Sequence, residues 1–177
     1  NSELFKIKIC FSKFYQLKFY VMKNSSTKYS ISSRIIHWAM AILILSTFAV
    51  GFYMKEFLDD DAQNRYKIYD LHKSLGVLVM ILLIIRVINR IIKTPPALPD
   101  SISALDKKLA KIGHNLLYLL MFLVPLSGYL MSSFAGYPVN LFSIQLPNIV
   151  GTNFDFAKFF SEAHEIFAYS LIALVGI

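Results

Sequence analysis

Cysteine is almost absent from this chain. Cys10 is the one cysteine among the 177 residues, so no disulfide can form within the chain. A C-x-x-C-H sequence, which would attach a haem covalently, is also missing. Charged residues are scarce at 16%, whereas the residues AVILMFWYC make up 56%. Because a soluble domain of this size is less apolar, the composition predicts a polytopic membrane protein.

Apolar residues are gathered into four runs that are separated by polar connections. A helix needs ~20 apolar residues to cross the ~30 Å hydrocarbon core of a bilayer. The first three runs meet this length, but the last has only ~14 residues, roughly 21 Å as a helix. We therefore predict an all-α fold, a membrane-embedded four-helix bundle whose fourth helix is truncated. The predicted spans are residues 35–54, 71–92, 113–133 and 164–177.

Basic residues are unevenly distributed among the polar segments. The segment before the first span and the second connection are basic, whereas the first connection has five acidic against three basic residues. The positive-inside rule then places the N-terminus and the second connection in the cytoplasm. The formal net charge of +7 is thus a topology signal, so we expect membrane lipid rather than nucleic acid as a partner. The second connection contributes Lys93, Lys107, Lys108 and Lys111.

The segment before the first span is predicted to be a cytoplasmic arm, residues 1–33, followed by one transmembrane domain, residues 34–177. Its scattered lysines leave no apolar core for a secretory signal. Met22 precedes a polar segment and would be a natural start, so residues before 22 are expected to be non-native. The alternative is a basic amphipathic arm that lies on the membrane. No internal repeat or low-complexity tract stands out.

The histidines occupy equivalent places in the predicted spans. Each lies at the N-terminal end of a span, and successive spans run in opposite directions, which gives two histidines at each of two depths. A single histidine there would read as an interfacial residue, but four at matched depths favour a functional role. Zinc needs three or four protein ligands, whereas a haem iron needs two and then transfers electrons. The cytoplasmic pair is His37 and His114, and the outer pair is His72 and His164.

Arg86 lies on the same helical face as His72. The 14 residues between them correspond to ~21 Å of helix, which places the guanidinium at the cytoplasmic layer. There it would pair with a haem propionate, or it would be a snorkelling topology charge together with Arg90. Gly76, Gly113 and Gly128 would let helices or a flat porphyrin approach closely, or would serve ordinary membrane-helix packing.

Four stretches of the chain carry a family resemblance. "YSISSRIIHW", "YDLHKSLGVLVMILLIIRVINR", "LAKIGHNLLYLLMFLVPLSGYLM" and "SEAHE" resemble the bacterial cytochrome b561 family from about Tyr29 to the end of the chain. The family is related to the cytochrome b subunits of nickel-iron hydrogenases. The resemblance implies a four-helix protein of the bacterial inner membrane that binds two haem b groups.

The resemblance also implies roles for the histidines. The outer haem would be held by His72 and His164. The inner haem would be held by His37 and by a histidine that the family spacing places one position beyond Ile177. His114 would lie near the inner haem and a quinone pocket. Depth alone would instead pair His37 with His114, so the two interpretations of the inner site differ.

Several functions are compatible with this sequence. The resemblance implies a haem b electron carrier that takes electrons from superoxide and reduces ubiquinone, a superoxide:quinone oxidoreductase. No catalytic residue is assigned, and the outer connections show no positive field that would steer an anion. A second hypothesis is a cytochrome b anchor subunit for a partner dehydrogenase or hydrogenase, and a third is a decayed, non-functional remnant. A transporter is disfavoured because the centres of the spans are uniformly apolar.

Overall fold

The computed structural model describes residues 28–59, 61–93, 95–96, 99 and 101–176. The predictions about residues 1–27 lie outside these described residues. Helices dominate the described chain, and one short antiparallel hairpin lies between the last two of them. The elements are α1 (Ile31–Glu56), α2 (Arg65–Ile92), α3 (Ala104–Phe134), β1 (Asn140–Leu141), β2 (Ile144–Gln145) and α4 (Phe154–Val175).

Polar side chains cap the starts of three helices. Ser30 accepts a hydrogen bond from the Ser33 amide at the start of α1. Ser103 accepts one from the Asp106 amide at the start of α3. Asn153 accepts one from the Phe156 amide at the start of α4. Such caps satisfy amides that have no partner within the helix, and the helices therefore begin before the apolar runs do.

The start of α4 shows the largest difference from the sequence prediction. The helix begins at Phe154, ten residues before the predicted fourth span, and contains 22 residues, about 33 Å. The added turns carry Asp155, Lys158 and Glu162, which lower the local hydropathy without interrupting the helix. Hydropathy locates the apolar part of a helix, whereas the Asn153 cap determines where this one begins.

The surface of the bundle is apolar and part of its interior is polar. Large apolar side chains such as Trp38 and Ile42 are 65% and 64% exposed. The buried polar side chains, by contrast, are serines: Ser74, Ser127, Ser132 and Ser133. By length and composition, α1, α2 and α3 are able to cross a membrane. The predicted all-α membrane bundle is confirmed, and the side on which the N-terminus lies stays a prediction.

The helices pack as neighbours in chain order around a small core. The core contains one or two buried side chains from each helix: Met40, Leu83, Leu120, Met121 and Leu171. Met40 lies one turn after His37, and Leu171 lies two turns after His164. The tightest packing therefore lies between the two depths at which the histidines occur.

The connection between α3 and α4 is bound to α2. The strands pair Asn140 with Gln145 and Leu141 with Ile144. Ser74 Oγ donates a hydrogen bond to the Asn140 carbonyl (2.9 Å) and accepts one from the Phe142 amide (2.9 Å). Lys73 Nζ donates to the Pro138 carbonyl (2.9 Å). The hairpin thus lies beside the turn of α2 that carries His72.

A polar clamp joins α1 to α2 at the opposite end of the bundle. Asn89 Oδ1 accepts a hydrogen bond from Ser32 Oγ (3.1 Å), and Asn89 Nδ2 donates one to Ser33 Oγ (2.9 Å). Lys93 Nζ also donates to Ser32 Oγ (2.9 Å). These bonds fix the register of the two helices near His37 and Arg86.

Candidate cofactor site

Two of the four histidines face each other between the helices. The ring centroids of His72 on α2 and His164 on α4 lie 6.2 Å apart, and the ring planes are nearly perpendicular at 88°. Both rings are partly buried. We call this pair of histidines the paired layer.

Backbone carbonyls fix the tautomer of both rings. His72 Nδ1 lies 3.1 Å from the Thr47 carbonyl oxygen, and His164 Nδ1 lies 2.8 Å from the Val124 carbonyl oxygen. Because a carbonyl only accepts, each Nδ1 carries the ring hydrogen. Each Nε2 therefore keeps its lone pair, which is the arrangement of a histidine that binds a metal.

Two glycines make room for the imidazole rings. A Cβ atom on Gly51 would lie 2.8 Å from His72 Cε1, and one on Gly128 would lie 2.9 Å from His164 Cε1. Either contact is closer than real Cβ atoms approach. Gly128 had been singled out from the sequence, whereas Gly51 and the two carbonyls had not. A glycine inside a helix lowers the stability of the helix by about 1 kcal/mol relative to alanine. A glycine within the first span, at Gly51, was therefore the signal that the sequence offered.

A large apolar cavity surrounds the paired layer. It has a volume of about 1010 Å³ and is lined by residues of all four helices, at the upper end of the ~300–1,000 Å³ found for ligand and cofactor sites. Charged side chains lie at its rim: Lys55, Arg65, Asp70, Lys73 and Glu165. The cavity thus combines an apolar interior with a polar rim, which suits a flat apolar cofactor with ionised substituents.

The geometry of the paired layer fits a metal ion with two axial imidazoles. An imidazole nitrogen binds a first-row metal at about 2.0 Å, and that nitrogen lies roughly 1.1 Å from the centre of its ring. An ion between two such rings would hold the centroids about 6 Å apart, and the observed distance is 6.2 Å. Within the described residues, no cluster of three or more His, Cys, Asp or Glu side chains is arranged to hold a metal. The two imidazoles supply two ligands, so the paired layer fits a metal ion whose other ligands come from a macrocycle.

His37 has a different environment. Arg86 Nη2 lies 3.1 Å from His37 Nδ1, and Arg86 Nε donates to the Tyr118 hydroxyl (3.2 Å). A guanidinium only donates, so His37 Nδ1 accepts and the ring hydrogen lies on Nε2. In this arrangement His37 has no lone pair for a metal at Nε2, unlike the two histidines of the paired layer.

The structure places the remaining predicted residues around His37. Arg86 and Arg90 both lie over the Tyr118 ring, with guanidinium carbons 5.7 and 5.6 Å from its centroid. His114 is exposed on α3 and lies within electrostatic range of His37. Of the four histidines, His72 and His164 are thus brought together as a pair, and His37 and His114 share the other depth.

An ion pair at the rim of the cavity links α1 to α4. Lys55 Nζ binds Glu165 Oε1, and both side chains are about half exposed, at 49% and 48%. Lys55 Nζ also lies 5.7 Å from the centroid of the Tyr169 ring. The Tyr169 ring in turn meets Phe48 of α1 edge to face, with centroids 5.8 Å apart.

Membrane-spanning helices, an apolar cavity between them and two facing imidazoles with free Nε2 atoms are features of membrane b-type cytochromes. The chain belongs to the prokaryotic cytochrome b561 family, whose profile matches residues 28–177. It is 35% identical over 152 residues to cytochrome b561 homolog 2 of Escherichia coli strain K12, which covers 85% of this chain and 80% of that protein. It is 26% identical over 151 residues to the probable superoxide oxidase CybB of Yersinia pestis, with 85% and 84% covered.

Family membership confirms the coarse predictions. The chain is a multi-pass protein of the bacterial inner membrane that belongs to a family of haem b electron-transfer proteins. The resemblance found in the sequence is thereby confirmed.

Proposed function

We propose that His72 and His164 are the axial ligands of one haem b and that the protein carries electrons through this group. The observation that carries the proposal is the facing pair itself. Its rings lie 6.2 Å apart, and both Nδ1 atoms are held by carbonyls. A haem iron with both axial positions filled does not readily bind oxygen, so the bound group would supply one-electron transfer.

A second haem at the depth of His37 stays a prediction. Ligation through His37 Nε2 requires the hydrogen to move to Nδ1, and Arg86 must then leave that atom. A guanidinium released from His37 would be available to a propionate carboxylate. The described residues therefore support one haem in their present arrangement and a second one only after Arg86 has moved.

The substrates are proposed from the relatives. One relative is named a probable superoxide oxidase, and we extend that activity to this chain, with ubiquinone as the electron acceptor. Two superoxide anions would each give up one electron and become dioxygen. Ubiquinone would take up these two electrons and two protons and become ubiquinol. The charged side chains that line the cavity are nearly balanced, Lys55, Arg65 and Lys73 against Asp70 and Glu165, so the proposal rests on the relative and not on electrostatic steering.

Haem content after substitution of the ligands tests the first part of the proposal. We expect His72→Ala and His164→Ala each to remove one haem per chain in a pyridine haemochrome assay of the purified protein. Lys158→Ala, an exposed position on α4, is the control and should keep the full content. Full haem content in both histidine variants would contradict the assignment.

A reconstituted system tests the substrates. The protein in liposomes that contain ubiquinone is exposed to an enzymatic source of superoxide, and ubiquinol is measured. Protein-dependent ubiquinol that is lost in His72→Ala supports the proposal. A protein that is loaded with haem but inactive in this assay would rule out superoxide. A dehydrogenase that co-purifies and reduces the haem would then favour the anchor-subunit alternative.

A further inference from the structure

We infer that α1 and α3 hold His72 and His164 with perpendicular ring planes, each through a backbone carbonyl and a glycine that together we call a seat. This orientation determines the electronic structure of the iron that would be bound between the two rings. The inference rests on the proposed function, because it concerns the haem of the paired layer. It adds positioning groups on two helices that carry neither ligand.

The two seats have the same spacing along their helices. On α1 the Thr47 carbonyl accepts from His72, and Gly51 lies against the same ring. On α3 the Val124 carbonyl accepts from His164, and Gly128 lies against that ring. In each case the glycine follows the carbonyl by four residues, so both groups lie on one face of one helical turn.

Hydroxyl groups reinforce both seats. Thr47 Oγ1 donates to the Leu43 carbonyl (2.7 Å), and Ser127 Oγ donates to the Leu123 carbonyl (2.7 Å). Both bonds lie along the helix, although Thr47 itself carries the carbonyl of its seat whereas Ser127 follows Val124 by three residues. They keep the hydroxyl hydrogens occupied within their own helices.

The equivalence extends to the far ends of the helices. Gly51 follows His37 by 14 residues, and Gly128 follows His114 by 14 residues. The helices α1 and α3 therefore repeat one pattern of histidine, carbonyl and glycine. Repetition of the same pattern on two helices argues against a chance contact at either seat.

Each seat fixes the rotation of its ring. A ring that binds iron through Nε2 remains free to rotate about that bond unless other atoms hold it. The Nδ1 hydrogen bond and the contact of Cε1 with glycine hold the same edge of the ring at two points. Each seat thereby determines one plane, and the two planes differ by 88°.

Perpendicular imidazole planes have a spectroscopic consequence. Each imidazole interacts through its π orbital with one of two iron d orbitals. Two parallel rings interact with the same d orbital, which separates the two d orbitals in energy. Two perpendicular rings each interact with a different d orbital, which keeps the energies of the two orbitals nearly equal. Near equality gives low-spin ferric iron a strongly anisotropic electron paramagnetic resonance spectrum with a very large first g value. Parallel rings give a rhombic spectrum with a smaller first g value.

The test is the electron paramagnetic resonance spectrum of the purified full chain with its haem oxidised. The signal of the paired layer is the one that disappears in His72→Ala. We expect this signal to be strongly anisotropic in the unaltered protein. Gly51→Ala and Gly128→Ala should each shift the first g value downward, because the added Cβ forces the ring to rotate. Gly113→Ala introduces the same methyl group where it meets no atom within 4 Å, and its spectrum should be unchanged.

The outcomes separate this inference from the proposed function. A rhombic signal in the unaltered protein would overturn the inference while leaving the haem assignment intact. Unchanged spectra in both glycine variants, with haem still bound, would also overturn it. If Gly51→Ala and Gly128→Ala both lost haem, the anisotropy of the spectrum of the unaltered protein would be the sole test of the inference. Absence of haem from the unaltered protein would instead refute the proposed function.

Discussion

At the scale of single residues, the two histidines of the paired layer differ in their hydrogen bonds. His164 Nδ1 lies near two acceptors, the Val124 carbonyl at 2.8 Å and Ser127 Oγ at 3.3 Å. Because Ser127 donates its own hydrogen to a backbone carbonyl, its oxygen is left to accept. Acceptors at Nδ1 make an imidazole a stronger donor to a metal, so with the proposed ligation Ser127 would favour the oxidised iron.

Ser127→Ala should therefore raise the midpoint potential of the haem. A weak hydrogen bond of about 0.5 kcal/mol corresponds to about 20 mV for a one-electron couple. Spectroelectrochemical titration of the purified protein measures this shift. Ser133→Ala removes another buried hydroxyl from α3 and serves as the control. An unchanged or lower potential in Ser127→Ala would show that the hydroxyl does not act on His164.

At the scale of elements, polar bonds join α2 to neighbouring elements at both ends of the bundle. At one end, Asn89 of α2 bonds to Ser32 and Ser33 of α1. At the other end, Ser74 of α2 bonds to the hairpin in two ways. Polar bonds of this kind fix the register between helices that apolar packing alone leaves free to slide.

Asn89→Leu should destabilise the pair formed by α1 and α2. Loss of both amide bonds costs about 1–2 kcal/mol, which a thermal unfolding experiment in detergent detects as a lower Tm. Asn115→Leu replaces an exposed amide on α3 and is the matched control. Equal Tm values for the two variants would mean that the clamp contributes nothing to stability.

Ser74→Ala should loosen the hairpin from α2. The Phe142 amide loses its acceptor and the Asn140 carbonyl loses its donor, so hydrogen exchange of residues 139–146 should accelerate by about tenfold. Ser143→Ala alters an exposed position in the same hairpin and should leave exchange unchanged. Slow exchange that persists in Ser74→Ala would show that other contacts hold the segment.

At the scale of the whole molecule, the distribution of charge predicts an orientation in the membrane. The connection between α2 and α3 carries Lys107, Lys108 and Lys111, whereas the hairpin lies at the other end of the bundle, beside His72. By the positive-inside rule, we expect the lysine-rich connection to face the cytoplasm. The paired layer and the hairpin would then lie on the outer side.

Cysteine labelling tests this orientation. In a chain with Cys10 replaced by serine, Ser143→Cys should react with an impermeant maleimide when the inner membrane is intact. Lys108→Cys should react only after that membrane has been permeabilised. The reverse pattern would place the paired layer and the hairpin on the cytoplasmic side.

The sequence predicts the helices better than the contacts between them. Apolar runs locate the spans and place His72 and His164 at one depth because depth follows from position along a helix. The seats of these histidines were missed because a carbonyl leaves no trace in a sequence and Gly51 resembles any packing glycine. The start of α4 was missed because Asn153 and the polar turns after it lie outside the apolar run.

Trp38 gives the His37 layer a built-in optical reporter. It is the only tryptophan of the chain, and its ring lies 5.6 Å from that of His37. The seat on Thr47 lies nine residues further along α1, about 14 Å. Both distances are short for resonance energy transfer to a haem, so a haem bound at either layer would quench the emission of this tryptophan. Emission recorded while haem is titrated into the apoprotein would thus report the binding of the first haem without an added label.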